Sequence, residues 1–129
     1  MEVTGDERRL RIVHQCTNSE CPEVERQGGE AAELPVYITD EEVYRYAPTF
    51  VVSTIDKIAI MGMQRRARTL FGRVKHRCPD HGYTGEDGCL CDDWNYPDDV
   101  QCDSQSFESV DPVDPPSLFI QDELHLLRE

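Results

Sequence analysis

Hydrophobic and polar positions change period several times along the chain. Residues 1–9 are polar and charged and read as a frayed terminus. LRIV (10–13) alternates, which predicts a short strand leading into Cys16. Residues 17–33 are rich in Glu, Gly and Asn and read as a loop, whereas LPVYI (34–38) has the β-branched and aromatic content of a strand. Thr39 and Glu42 stand at capping-box spacing with Asp40 and Glu41 between them, predicting a short helix through DEEVYRYA that Pro48 ends. TFVVS (49–53) is almost continuously apolar, as in a strand buried on both faces of a parallel sheet. In IDKIAIMGMQRRARTLFG (55–72), Ile55, Ile58, Ala59, Met63 and Ala67 recur at helical spacing and Gly72 is placed as a C-cap. Gly62 weakens that helix by about 1 kcal/mol relative to Ala and marks a place for a break. Residues 76–116 have no period and hold five of the prolines, so a stretch this long needs a staple to stand in a compact domain. SLFI (117–120) is a second buried-strand run, and QDELHLLRE starts a helix.

Charge sharpens this picture. The net charge is −13 over 129 residues, but it is unevenly placed. Residues 1–77 carry 12 basic and 12 acidic side chains, while residues 78–129 carry 14 acidic ones and a single basic one, Arg128. Just before that boundary lies a basic run: Arg65, Arg66, Arg68, Arg73, Lys75 and Arg77. So acidic a chain repels phosphates as a whole, which argues against free-standing nucleic-acid affinity. The basic run reads equally well as phosphate contacts or as a solvated helix face. No apolar run approaches the roughly 18 residues of a membrane span, and no secretory signal is visible, so a cytoplasmic location and no membrane partner are expected.

Six cysteines fall in the chain: Cys16, Cys21, Cys78, Cys89, Cys91 and Cys102. Disulfides need an oxidising compartment, and the sequence offers no export route. Metal binding fits better. Cys78-Pro-Asp-His81-Gly is a C-x₂-H knuckle whose Pro and Gly shape a tight turn, and thiolate plus imidazole is the ligand set of closed tetrahedral Zn²⁺ sites. Zn²⁺ binding energy would also become folding energy for a coreless acidic stretch. The expected tetrad is Cys78, His81, Cys89 and one of Cys91 or Cys102, with Cys16-x₄-Cys21 as half of a second site. His14 and His76 neighbour cysteines, and surface or core roles suit both better than ligation. Trp94, the one tryptophan, is expected to pack against the knuckle.

SLFIQDELHLL ends an apolar strand in Asp122-Glu123-Leu124-His125. Ligands of open α/β sheets bind at the carboxyl ends of strands. There, one carboxylate can hold Mg²⁺ through its water shell while the next activates a water. A helix cap is the plainer role for such a pair. DELH resembles motif II, the DExH box, of superfamily 2 helicases, and APTFVVSTIDKIA (47–59) looks like the strand and turn of motif Ib. The order of segments over residues 34–129 is similar to a group of bacterial helicase-like proteins, including the helicase component of the DISARM anti-phage system. The resemblance implies that Asp122 coordinates Mg²⁺–ATP and Glu123 is the catalytic base. It implies that His125 couples nucleotide state to the second lobe, and that Ser53, Thr54 and Lys57 face a nucleic-acid strand, DNA by resemblance. No G-x-x-x-x-G-K-[ST] is present.

The expectation is therefore an α/β fold: part of a first RecA-like lobe with parallel strands, interrupted by a zinc-binding, loop-rich insertion. Residues 1–33 form an N-terminal segment with a possible zinc half-site, 34–75 the lobe around motif Ib, 76–116 the insertion, and 117–129 the motif II strand and helix start. Such a fragment, lacking the P-loop and the remaining helicase lobes, is expected to be inactive alone. The alternatives are a stand-alone zinc-stabilised interaction module without catalysis and a small disulfide-rich secreted domain.

Overall fold

A computed structural model describes residues 1–85, 88–89, 102 and 107–122. They fall into two compact units, Met1–Ile38 and Thr39–Glu129.

The first unit is a three-stranded antiparallel sheet in the order β1-β2-β3, with β1 at Glu2–Asp6, β2 at Arg11–Cys16 and β3 at Ala32–Leu34. Helix α1 (Pro22–Gln27) connects β2 to β3, and Val13, Val24 and Ala32 form the buried centre. Two expectations change here. The polar terminus is not frayed: its backbone pairs with β2 from Glu2↔Gln15 to Asp6↔Arg11, a ladder that needs no apolar side chains. Residues 17–33 are not all loop, because Pro22 opens α1, Glu23 and Glu25 occupy its first turn, and Gly28 closes it at φ +67°. The strand expected over 34–38 is shifted to Ala32–Leu34, since Pro35 has no N–H to give the ladder. Glu33 gathers this unit's charge: its carboxylate takes Arg9 at 3.1 Å and also pairs with the buried Arg11, whose guanidinium stands 5.2 Å from the Tyr37 ring centroid.

The second unit opens with α2 (Asp40–Tyr46). Its capping box is complete: the Thr39 hydroxyl accepts from the Glu42 N–H, and the buried Glu42 carboxylate accepts from the Thr39 N–H at 3.1 Å. Strand β4 (Phe50–Thr54) follows, then α3 (Ile55–Met61) and a 3₁₀ helix (Arg65–Phe71). The single helix expected over 55–72 is thus two pieces. It breaks at Gly62, where propensity is lowest, and Gly72 caps the second piece at φ +84°. The stretch without period contains a small antiparallel sheet, β6-β5-β7, from β5 (His76–Cys78), β6 (Gly82–Thr84) and β7 (Glu108–Ser109). These strands are two or three residues long, too short to leave a hydrophobic period.

Strand β8 (Leu118–Asp122) pairs parallel with β4 from Phe50↔Leu118 to Thr54↔Asp122. The fold is mixed α/β with one parallel two-stranded sheet. Burial of β4 and β8 on both faces does not hold: Val51 is buried, but Phe50, Val52, Leu118 and Ile120 are all exposed. The register sets Phe50 beside Leu118 and Val52 beside Ile120, so these four form one bare apolar face. No helix among the described residues is long and apolar enough to cross a membrane.

Candidate metal centre

The β5–β6 hairpin makes the knuckle. Cys78 ends β5 opposite Gly82, which starts β6, and Pro79-Asp80-His81 is the turn between them. Gly82 has φ +81°, and a Cβ there would lie 2.6 Å from the Arg45 carbonyl oxygen. The turn therefore sits hard against the end of α2, and the Tyr46 hydroxyl donates to the Asp80 carbonyl at 3.4 Å. This fixes Cys78 and His81 so that both side chains turn inward.

Cys89 and Cys102 complete the group. The ligand atoms of Cys78, His81, Cys89 and Cys102 all lie within 4.8 Å of one another. His81 Nδ1 is 3.5 Å from Cys78 Sγ, 3.4 Å from Cys89 Sγ and 3.2 Å from Cys102 Sγ. Cys102 Sγ is 3.4 Å from Cys78 Sγ and 3.3 Å from Cys89 Sγ. Zn–S bonds of about 2.3 Å and Zn–N bonds of about 2.0–2.1 Å put tetrahedral edges at roughly 3.8 Å between sulfurs and 3.5 Å between sulfur and nitrogen. The five distances above are equal to those edges or slightly shorter, and the sixth, between Cys78 Sγ and Cys89 Sγ, lies within 4.8 Å. Cys78, His81 and Cys89 are buried and Cys102 is half-buried. Cys₃His is a closed, soft donor set, so the cluster can hold a metal ion such as zinc in a structural role. An ion held through Nδ1 requires the ring proton on Nε2.

The remaining residues singled out in the sequence are placed as follows. Cys16 ends β2 and Cys21 is the N-cap residue of α1, both half-buried in the first unit. Backbone N–H of Glu23, the Cys16 thiol and the Val24 N–H lower the Cys21 thiol's pKa, in that order of effect. Among the described residues the two belong to no cluster of three or more ligating groups. His14 is buried on β2 with its Nε2 lacking a hydrogen-bond partner there, and His76 is exposed on β5 with its ring 6.4 Å from that of Phe107. Ser53 and Thr54 end β4, and Asp122 ends the neighbouring β8. Lys57 lies one turn on, its ammonium 2.6 Å from the Asp40 carboxylate. Cys91, Trp94, Glu123 and His125 lie outside the described residues.

No family model matches the chain, and no solved structure matches it. It is 37% identical over 112 residues to the DISARM protein DrmA of Bacillus paralicheniformis (strain ATCC 9945a / NCIMB 11709 / CD-2). The match covers 87% of this chain, which spans only 9% of the relative's length.

Proposed function

We propose that this chain is the part of a DrmA-type anti-phage protein in which a zinc-stapled insertion interrupts a RecA-like lobe of a superfamily 2 helicase or translocase. The similarity to the DISARM protein supports the defence role. The observation that carries the catalytic half is the parallel register that sets Thr54 beside Asp122. It brings the two segments that resemble motifs Ib and II to the carboxyl ends of adjacent parallel strands, where open α/β sheets bind their ligands.

In the intact polypeptide, Asp122 would hold Mg²⁺–ATP through the ion's water shell. Glu123 would take the proton of the attacking water, and His125 would pass nucleotide state to the second lobe. Ser53, Thr54 and Lys57 would lie along the nucleic-acid strand, DNA by the same resemblance. Lys57 would first have to leave Asp40, which costs little because exposed ion pairs contribute about 1 kcal/mol or less. Zn²⁺ on Cys78, His81, Cys89 and Cys102 would hold the insertion folded between the two strands.

The test is Glu123→Gln in the intact polypeptide that carries this segment. Loss of the base lowers ATP hydrolysis by about 10²–10⁴-fold with ATP binding kept. Hydrolysis unchanged by the substitution, or absent from the wild type in the presence of DNA, would instead favour a zinc-stabilised interaction module without catalysis.

A further inference from the structure

A cavity of about 310 Å³ opens beside the metal cluster, within the second unit. One wall is basic. Arg45 comes from the last turn of α2, Arg65, Arg66 and Arg68 from the 3₁₀ helix, and Arg73 and Lys75 from the connection to β5. A 3₁₀ helix eclipses residues three apart, so Arg65 and Arg68 share one side of it. The fold also adds Arg45, which stands apart from the basic run in sequence. The lining also includes His81 and Cys89 of the metal cluster. Among the described lining residues none is acidic.

Six cations around one cavity repel one another. The Glu41 carboxylate, which is outside the lining, pairs with Arg66 at 3.2 Å. Arg45 is 4% exposed, its Nε donates to the Glu41 carbonyl at 3.3 Å, and its guanidinium stands 5.4 Å from the Tyr46 ring centroid. It is therefore pre-positioned and loses little freedom when an anion arrives. The chain as a whole carries −13, so this concentration of positive charge runs against its general field. Guanidinium forks match the paired oxygens of phosphate. The volume lies at the lower end of ligand pockets, about 300–1,000 Å³, enough for a phosphate with part of its sugar.

We infer that this cavity binds a phosphate group, presented either by a nucleic-acid strand or by a free nucleotide. The inference rests on the cavity alone and not on the helicase reading.

The test uses the zinc-loaded chain and the double substitution R68E/R73E. Both side chains are exposed, so the core is untouched. R68Q/R73Q serves as a second variant without charge reversal, and Arg26→Glu, in the first unit, as the control. A fluorescein-labelled single strand of about 12 nucleotides reports by anisotropy at low salt, and ADP and pyrophosphate report by calorimetry. Strand binding that weakens roughly tenfold or more in both double variants and stays unchanged in the control supports a nucleic-acid source. The salt slope should then fall by about 0.7 for each phosphate no longer neutralised. Binding of ADP and pyrophosphate but not the strand, with the same weakening in both variants, supports a free nucleotide. No binding of any probe, or binding equally tight in R68E/R73E, overturns the inference.

Discussion

At position 82 the knuckle turn needs a left-handed residue pressed against the Arg45 carbonyl, and a side chain there meets two penalties at once. The left-handed backbone alone costs a Cβ-bearing residue about 1–2 kcal/mol. Gly82→Ala should therefore lower metal affinity by roughly tenfold, read by competition with a chromophoric chelator, because the turn that presents Cys78 and His81 must shift. Affinity equal to wild type would show that the turn does not set the ligand geometry. Thr39→Ala tests the start of the same helix from its other end. It removes the hydroxyl that accepts from Glu42 N–H and leaves the buried Glu42 carboxylate with one partner fewer. The cost in urea unfolding should be about 1 kcal/mol. Asp6 gives a residue-level pH effect. The Arg9 backbone N–H, then its guanidinium, lower the Asp6 carboxyl's pKa on folding. A depressed folded pKa stabilises above the unfolded value, about 3.9, and that contribution is lost as pH falls through the folded value. Asp6→Asn should thus destabilise the chain at neutral pH, and the difference from wild type should shrink to nothing in strong acid. A difference constant across that range would mean the Arg9 contacts do not depend on the charge.

Among the elements, the β6-β5-β7 sheet has the weakest means of its own, with strands of two or three residues and little apolar area. Its folding free energy should come from the ion. Chelation should remove amide exchange protection across β5 and β6 while α2 keeps the protection its cap and packing provide. The phosphate cavity should lose affinity in the same step, since His81 and Cys89 form part of its wall. Protection of β5 and β6 unchanged by chelation would mean the sheet stands without metal. The elements also show what the sequence made legible. The capping box at Thr39 and Glu42, the parallel strands around Val51 and Phe119, the break at Gly62 and the C-cap at Gly72 are encoded in a few adjacent residues, and each was readable. The Cys₃His group is readable as a knuckle plus candidates, but that Cys102 comes to the knuckle across a stretch without period is shown only by the fold. Strand β1 was hidden because its partner supplies the ladder and its own side chains are mostly exposed. Pro22 and Gly28 bracket helix α1, but the Glu- and Gly-rich composition around it masks those two signals. The basic cavity was hidden because Arg45 joins the run at 65–75 only through the fold.

On the scale of the whole molecule, two forces oppose each other. Phe50, Val52, Leu118 and Ile120 leave one face of the β4–β8 pair bare, and an apolar sheet face in water favours association. A net charge of −13 favours separation. Salt acts on only one of these: the Debye length falls from about 10 Å at 0.1 M to about 3 Å at 1 M, which screens the repulsion and leaves apolar burial intact. The isolated chain should therefore be largely monomeric at low salt and self-associate as salt rises, seen as a growing weight-average mass in sedimentation equilibrium. V52K/I120K should abolish the rise. Both side chains are exposed, so the substitutions remove the apolar face without opening the core, which the buried Val51 anchors. In the DrmA-type polypeptide proposed above, further chain would cover this face, and the same double substitution should then destabilise the fold instead of solubilising it. A mass independent of salt, or a rise that V52K/I120K leaves intact, would show that the bare face is not what drives association.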